Sequence, residues 1–243
     1  MPSIERYTLE HYVRLINSNT NFSLARYFDG EWNIITGRRG LPDRTGGGHL
    51  YFPRLRRDLY ESIVKPHTDP QYYYGTWYNI ALSGHYSSQF CIDNNVKIKW
   101  YNGYIMHSSS MEGQLFPLIK ALRNREIIFV GPESLRNAES LFPIKHYIPI
   151  IERDCYTQKD DMVKRTIKVS TKDSVILVHA SLAGKVVVYD LFKSLGTKCT
   201  IIDAGSIWNI FCDKANMRGW WKKLKDSNPK RFKLLYNSNL GIY

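Results

Sequence analysis

The sequence has little cysteine, and its four cysteines lie far apart, at Cys91, Cys155, Cys199 and Cys212. No two of them have the C-x-x-C spacing of zinc or redox sites, so we predict free thiols and a cytoplasmic location. No apolar run approaches the ~18 residues that a membrane-spanning helix needs, and acidic residues near the N-terminus argue against a signal peptide. With 16 glycines and 10 prolines in 243 residues, the composition also excludes collagen-like and low-complexity chains.

Two common nucleotide-binding signatures are absent as well. No G-x-G-x-x-G follows a predicted strand, and there is no G-x-x-x-x-G-K-[ST] loop. The chain does have 43% hydrophobic and 14% aromatic residues, which is enough to fill a large core and too much for a disordered protein. We predict one domain at residues 1–212 and a basic C-terminal extension at residues 213–243 that packs on the same domain.

The net charge of +12 is concentrated in two windows. Residues 37–57 carry six arginines against one aspartate, and residues 214–233 carry eight basic residues against one aspartate. The rest of the chain has twenty basic and twenty acidic residues. Such patches favour a polyanionic partner, such as nucleic acid, an anionic membrane surface or a phosphorylated glycan, although a solvated face that only aids solubility is the alternative.

Apolar segments alternate with helical segments through the second half of the chain. The pattern predicts buried strands at 126–132, 173–179 and 198–203, and amphipathic helices at 158–169 and 182–195. This order is typical of an α/β protein, here a single Rossmann-like domain with a mainly parallel sheet flanked by helices.

Ligands of such sheets bind beyond the carboxyl ends of the strands, so residues that follow predicted strands are site candidates. Asp29 and Glu31 follow a predicted strand at 21–27, in a loop that leads to a short predicted strand at 32–36. Residues two apart in an extended chain face the same way, and with Gly30 between them the two carboxylates suit Mg²⁺ or Mn²⁺ carrying a diphosphate. An ordinary turn is the alternative.

A second candidate is the turn that ends at Lys185. Small residues there separate a predicted strand from a predicted helix, and free amides at a helix start bind phosphate. Ser181, Gly184 and Lys185 would hold the phosphates of a nucleotide, unless the turn is only a closely packed connection. On a predicted mobile loop, Arg38 and Arg39 would close over the same ligand.

Two segments of the chain match the pattern of one enzyme family. The first reads FSLARYFDGEW at 22–32, and the second reads ILVHASLAGKVVVYDL at 176–191, with Gly196 and IDAG at 202–205 after it. They resemble the R-[YF]-G-D-G-E opening motif and the closing strand–helix–strand block of the GT-D-fold glycosyltransferases, over roughly residues 20–212.

The resemblance implies a metal-dependent transferase that uses a nucleotide-sugar donor such as a UDP-sugar. Asp29 and Glu31 would hold Mn²⁺ or Mg²⁺, with Arg26 beside them. The chain departs from the family pattern at two positions: Phe28 replaces the usual glycine before the aspartate, and Ser206 stands where the family commonly has histidine.

The acceptor would be a hydroxyl group. Asp203 and Glu133 are candidate bases because both stand at predicted strand ends, and a cap or surface role is the alternative. The basic patches favour a hydroxymethylated base in DNA over a glycan or glycoprotein, and a nucleic-acid-binding protein without turnover is the alternative from another class. The predicted acceptor-binding residues are Trp220, Trp221, Lys222, Lys223 and Lys225, unless a tryptophan belongs to the apolar face of a last helix.

Overall fold

The computed structural model describes residues 4–5, 7–37, 49–66, 68–77, 85–213 and 217–242. They form one eight-stranded sheet in which all neighbouring strands are parallel, which confirms the predicted α/β class with a Rossmann-like sheet. The strands are β1 (Ile4–Glu5), β2 (Ser23–Arg26), β3 (Tyr72–Thr76), β4 (Trp100–Asn102), β5 (Ile127–Pro132), β6 (Ile144–Ile150), β7 (Val175–Val178) and β8 (Thr200–Asp203).

The helices cover both faces of this sheet. They are α1 (Leu9–Asn17), α2 (Asp29–Thr36), α3 (Pro53–Val64), α4 (His85–Asp93), α5 (Ile105–Glu112), α6 (Phe116–Leu122), α7 (Lys159–Val169), α8 (Gly184–Leu195), α9 (Gly219–Ser227) and α10 (Pro229–Leu240). Helices α2, α3, α4, α7 and α8 share one core layer, and α1, α5, α6, α9 and α10 share the other. Alternate residues of β5 supply the two layers, Ile128 and Val130 to the first, and Ile127 and Phe129 to the second. Burial on both faces explains why β5 and β7 are continuous apolar runs.

Residues 28–36, which we expected to form a loop and a short strand, form helix α2 instead. Glu31 Oε2 accepts a hydrogen bond from the Phe28 amide at 2.8 Å, which caps the first turn. Trp32 and Ile35, three residues apart, are both buried on the core side of the helix. The capping carboxylate and this helical spacing outweigh the turn tendency of the Asp-Gly pair.

The basic C-terminal helices are part of the second core layer. Trp221 of α9 and Phe232 of α10 are buried in it. Asn239 is also buried, and its side chain accepts from the Leu115 amide and donates to the Ser110 carbonyl, both at 2.9 Å. Removing this extension would therefore expose the apolar surface beneath it.

Two further observations concern the helices and the cysteines. None of the helices in the described residues is long and apolar enough to cross a membrane. All four cysteines are free thiols, and three of them are buried.

The strand order β1-β4-β3-β2-β8-β7-β5-β6 brings β2 and β8 together in the middle of the sheet. After β2 the chain enters α2 in the first core layer, whereas after β8 it continues to α9 in the second core layer. A crevice between neighbouring strands whose connections leave towards opposite faces of the sheet is where open α/β sheets bind ligands. Arg26 ends β2 and Asp203 ends β8, so the fold brings these two residues to that crevice.

Candidate functional site

A cavity of about 840 Å³ lies at the carboxyl edge of the sheet. Its walls come from the end of β2, the start of α2, the residue after β3, helix α5, the turn between β7 and α8, and the start of α9. This volume is within the range of about 300–1,000 Å³ that is usual for small-molecule sites. The cavity therefore lies beyond the carboxyl ends of the strands, where open α/β sheets bind ligands.

Four buried charged side chains form a group that we call the charge cluster: Arg26, Glu31 and Lys185, which line the cavity, and Asp203, which pairs with two of them. Lys185 Nζ lies 2.8 Å from Glu31 Oε1 and 3.3 Å from Asp203 Oδ2. Arg26 Nη2 lies 3.5 Å from Asp203 Oδ1. Two cations thus face two anions in a region with little water.

The charges of this cluster decide its protonation state. Burial alone raises the pKa of the Asp203 carboxyl, but Lys185 and Arg26 together outweigh burial and hold that pKa below its usual value. Burial alone would lower the pKa of the Lys185 ammonium. The charges of Asp203 and Glu31 outweigh the effect of burial, so that the pKa lies above its usual value. Asp203 is therefore a weak proton acceptor, which argues against its predicted role as the base.

Lys185 is held by the protein itself. Besides the two carboxylates, Nζ donates to the Ser181 carbonyl at 3.1 Å, so three protein oxygens face the three N–H groups of the ammonium. Gly184 is buried, and a Cβ added to it would lie 3.2 Å from Asp203 Oδ1. Gly184 therefore supports the cavity floor from beneath, whereas Lys185 and Ser181 line the cavity.

The predicted metal pair is not arranged as expected. Helix α2 separates Asp29, which is exposed, from Glu31, which is buried. Both Glu31 oxygens already have partners, Lys185 Nζ and the Phe28 amide, so the carboxylate is engaged by the protein itself. Among the described residues, no group of three or more His, Cys, Asp or Glu side chains could hold a metal ion. The pair does not fit a shared divalent cation in this geometry.

Glu133, the other predicted base, does not line the cavity. It follows β5 and is exposed, and its carboxylate accepts from Arg136 at 2.7 and 2.8 Å. The Arg136 guanidinium lowers the pKa of Glu133. Arg38 and Arg39, predicted to close over the ligand, lie outside the described residues.

Sequence reasoning missed an aromatic wall on one side of the cavity. Trp77 stacks on Tyr104 with ring centroids 4.7 Å apart, and Phe28 meets the edge of Trp77 at 5.1 Å. The wall continues through His107, whose ring centroid lies 4.8 Å from that of Tyr104 and 5.7 Å from that of Trp220. Burial, Arg26 and Arg218 lower the pKa of His107 to about 4, so it is neutral near pH 7. The wall offers flat, largely uncharged surfaces.

The two predicted acceptor tryptophans have different environments. Trp220 lines the cavity, as does Arg218 just before it. Trp221 is fully buried between core residues, so the prediction that it stacks on a base is wrong. Lys222 and Lys223 are exposed, and Lys225 is half-buried with Nζ 5.2 Å from the Phe232 ring centroid. Through Arg218 and Trp220, the basic extension forms part of the cavity wall.

Comparison with known proteins adds no assignment. Neither the protein-family models nor the curated proteins nor the solved structures include a match to this chain. The resemblance to GT-D-fold glycosyltransferases therefore stays a prediction that rests on the motifs alone.

Proposed function

We propose that the chain is a glycosyltransferase that binds a nucleotide-sugar donor in the cavity at the carboxyl edge of the sheet. The observation that carries the proposal is the combination of an arginine and an aromatic wall in the cavity beyond the ends of β2 and β8. A nucleoside diphosphate needs positive charge for its phosphates and a flat surface for its base. Arg218 and the wall from Phe28 to Trp220 offer both in one cavity.

The residues have distinct roles in this proposal. Arg218 is exposed into the cavity and would neutralise the diphosphate as the bond from the sugar to phosphate breaks. The backbone amides of the turn that leads into α8 would bind the same phosphates. The charge cluster holds the turn and α2 in place beneath them. Arg26 Nε is buried without a hydrogen-bond partner among the described residues.

A metal requirement stays a prediction of the sequence. Asp29 is exposed and lines the cavity, whereas Glu31 is held by Lys185. We therefore assign no step to a metal ion. Activity in Mn²⁺, in Mg²⁺ and in excess chelator decides whether a cation is needed in addition to Arg218 and Lys185.

We propose DNA with hydroxymethylated bases as the acceptor, in preference to a glycan. The basic face of α9 begins at Arg218 and Trp220, which line the cavity, and continues to the exposed Lys222 and Lys223. A polyanion bound along this face would pass the mouth of the cavity. An extruded base could then enter it.

The activity test is incubation of the full chain with a panel of nucleotide sugars and candidate acceptors, followed by mass spectrometry. We expect release of the nucleoside diphosphate and a hexose-sized mass increase on hydroxymethylated DNA. A mass increase found only on a glycan would show that the acceptor is a glycan and not DNA. DNA binding without diphosphate release from any donor would contradict the transferase and favour a binding protein without turnover.

Charge removal on α9 tests the acceptor proposal. Replacing Lys222 and Lys223 together by alanine should lower the slope of log affinity against log salt by about two units, because each phosphate contact contributes ~0.9. Lys225 leans on Phe232, so its replacement should add less. Fluorescence anisotropy with labelled duplex DNA at several salt concentrations measures the slope. The control is the double alanine variant of Lys164 and Lys168, exposed one turn apart on α7, which should leave the slope unchanged.

A further inference from the structure

A second cavity, of about 610 Å³, lies between α2, α3 and α4. Its volume is within the range of about 300–1,000 Å³ that is usual for small-molecule sites. Arg56 and Arg57 of α3 line it, and both belong to the basic window at residues 37–57. None of the described arginines of that window lines the cavity at the carboxyl edge of the sheet. The second cavity therefore gives a place to positive charge that the proposed donor site does not use.

The two arginines of the second cavity are placed to bind an anion. Arg56 is fixed against the last turn of α2, where its Nε donates to the Ile35 carbonyl at 3.1 Å. No carboxylate among the described residues pairs with the Arg56 guanidinium. The Arg57 side chain is 65% exposed, and its Nε lies 3.6 Å from Asp58 Oδ1, a surface contact that holds it weakly. One helix thus offers the cavity two positive charges and several N–H donors.

The charge of the cavity wall favours an anion with a single charge. Asp93 is the only carboxylate among the described residues that line the second cavity, and its Oδ1 accepts from Gln89 Nε2 at 2.7 Å. With Arg56 and Arg57, it leaves the wall with a formal charge of +1. A phosphodiester group carries one negative charge and matches this wall. The diphosphate of a free nucleotide carries more, and Asp93 would repel it more strongly.

An aromatic ring is fixed beside the two arginines. Tyr60 follows Arg56 by four residues and Arg57 by three, so all three side chains lie on one side of α3. Its hydroxyl donates to Asn94 Oδ1 at 2.7 Å, and its ring meets that of Phe90 edge-on with centroids 5.6 Å apart. Tyr60 is nevertheless 40% exposed. A flat, firmly held ring next to a phosphodiester site suits the stacking of a nucleobase.

The two cavities are neighbours along helix α2. Gly30 and Glu31 of its first turn line the cavity at the carboxyl edge, whereas Ile35 and Thr36 of its last turn line the second cavity. The half-buried Tyr86 lines both cavities. Helix α2 has eight residues and is about 12 Å long. A strand with stacked bases advances ~3.4 Å per nucleotide, so about three to four nucleotides span this distance.

We propose that the second cavity binds an unpaired nucleotide of the acceptor strand, a few positions from the base that enters the cavity at the carboxyl edge. Arg56 and Arg57 hold the phosphodiester of this nucleotide, and Tyr60 stacks on its base. A base that stacks on a protein ring has left the duplex, so the acceptor is single-stranded or opened at this position. The inference rests on the proposed DNA acceptor and adds to it a subsite that intact duplex does not fill.

Stacking on Tyr60 is tested by fluorescence anisotropy with a labelled oligothymidine of about 16 nucleotides, and with a duplex of equal length for comparison. Tyr60→Leu should weaken oligothymidine binding about 5- to 150-fold, the usual effect of losing one stacked base. It should leave duplex affinity within about twofold, because paired bases do not reach the ring. Tyr60→Phe keeps the ring and loses only the bond to Asn94, so it should bind oligothymidine as the wild-type chain does.

The phosphodiester contact is tested by the salt dependence of oligothymidine binding. Arg57→Ala should lower the slope of log affinity against log salt by about 0.7, the contribution of one phosphate contact to a single strand. Arg54→Ala is the matched control, because the Arg54 side chain is 56% exposed on the same helix but does not line the second cavity. Its slope should equal that of the wild-type chain. Equal reductions in both variants would overturn the contact.

The remaining outcomes separate this subsite from the proposed function. With unchanged thermal midpoints, equal losses for Tyr60→Leu and Tyr60→Phe, equal losses on single strand and duplex, or no loss would overturn the subsite. If charge removal at Lys222 and Lys223 still weakens DNA binding in that case, the DNA acceptor stands without it. A wild-type chain that binds neither probe at low salt would overturn both. Oligothymidine contains neither a sugar donor nor a hydroxymethyl group, so a failure of sugar transfer leaves these results unaffected.

Discussion

Replacement of Lys185 by methionine is expected to lower the free energy of unfolding by about 3–5 kcal/mol at pH 7, the usual effect of removing one partner of a buried ion pair. Methionine preserves the length of the side chain but removes the ammonium that lies between Glu31 and Asp203. Both carboxylates are buried and would then repel each other. Urea unfolding followed by circular dichroism measures the loss.

The control is Lys193→Met on the same helix, because the Lys193 side chain is 61% exposed and its pair with Asp190 lies at the surface. That variant should change stability by less than ~1 kcal/mol. Adding Glu31→Gln to Lys185→Met should recover part of the loss, since one unpaired carboxylate is removed. A loss below ~1 kcal/mol for Lys185→Met would contradict the structural role of the charge cluster.

The charge cluster also sets a pH dependence. The lowered pKa of Asp203 stabilises the fold above its unfolded value near 3.8, and this contribution is lost as the pH falls through the folded value. The raised pKa of Lys185 means that its ammonium stabilises the fold below pH 10.5. This contribution is lost as the pH rises through the pKa of the folded state. In Lys185→Met the unpaired carboxylates bind protons more readily. We therefore expect Lys185→Met to lower the free energy of unfolding by less at pH 5 than at pH 7. An equal loss at both pH values would contradict the account.

Replacement of Arg218 by alanine is expected to weaken UDP binding about 10- to 100-fold, the effect of losing a charged hydrogen bond of ~1.5–3 kcal/mol. Arg218 lines the cavity and is exposed, so its removal should leave the fold intact. Isothermal titration calorimetry measures the affinity. Lys222→Ala is the matched control: it removes one exposed cation of α9 a turn further on, outside the cavity lining, and should leave UDP affinity within about twofold at 0.15 M salt. Equal losses in both variants would indicate general electrostatic attraction instead of a site.

The fold could largely be predicted because its signals are local. The strands β5 and β7 are continuous apolar runs, and the helices that follow in the chain have amphipathic spacing, so the parallel sheet could be predicted from the sequence pattern. Helix α2 could not be predicted as easily. Its first turn depends on one contact, from the Phe28 amide to the Glu31 carboxylate, and the Asp-Gly pair within that turn is equally typical of a loop.

The candidate site was predicted only in part, because its contacts join distant segments. Arg26, Glu31, Lys185 and Asp203 were each identified as site residues, but their pairing into one charge cluster depends on how β2, α2, α8 and β8 meet. The aromatic wall escaped prediction because tyrosine-rich segments also fill cores. On α9, neighbouring residues point about 100° apart, and the sequence does not say whether Trp220 or Trp221 faces the core.

The most direct test of the central claim is a crystal structure of the full chain with UDP. The account predicts a diphosphate in the cavity between the ends of β2 and β8, in contact with Arg218, and a base against the aromatic wall. A second cavity of about 610 Å³ lies between α2, α3 and α4 and is lined by Arg56 and Arg57. UDP bound there, or no bound UDP at millimolar concentration, would contradict the claim that the carboxyl edge of the sheet is the donor site.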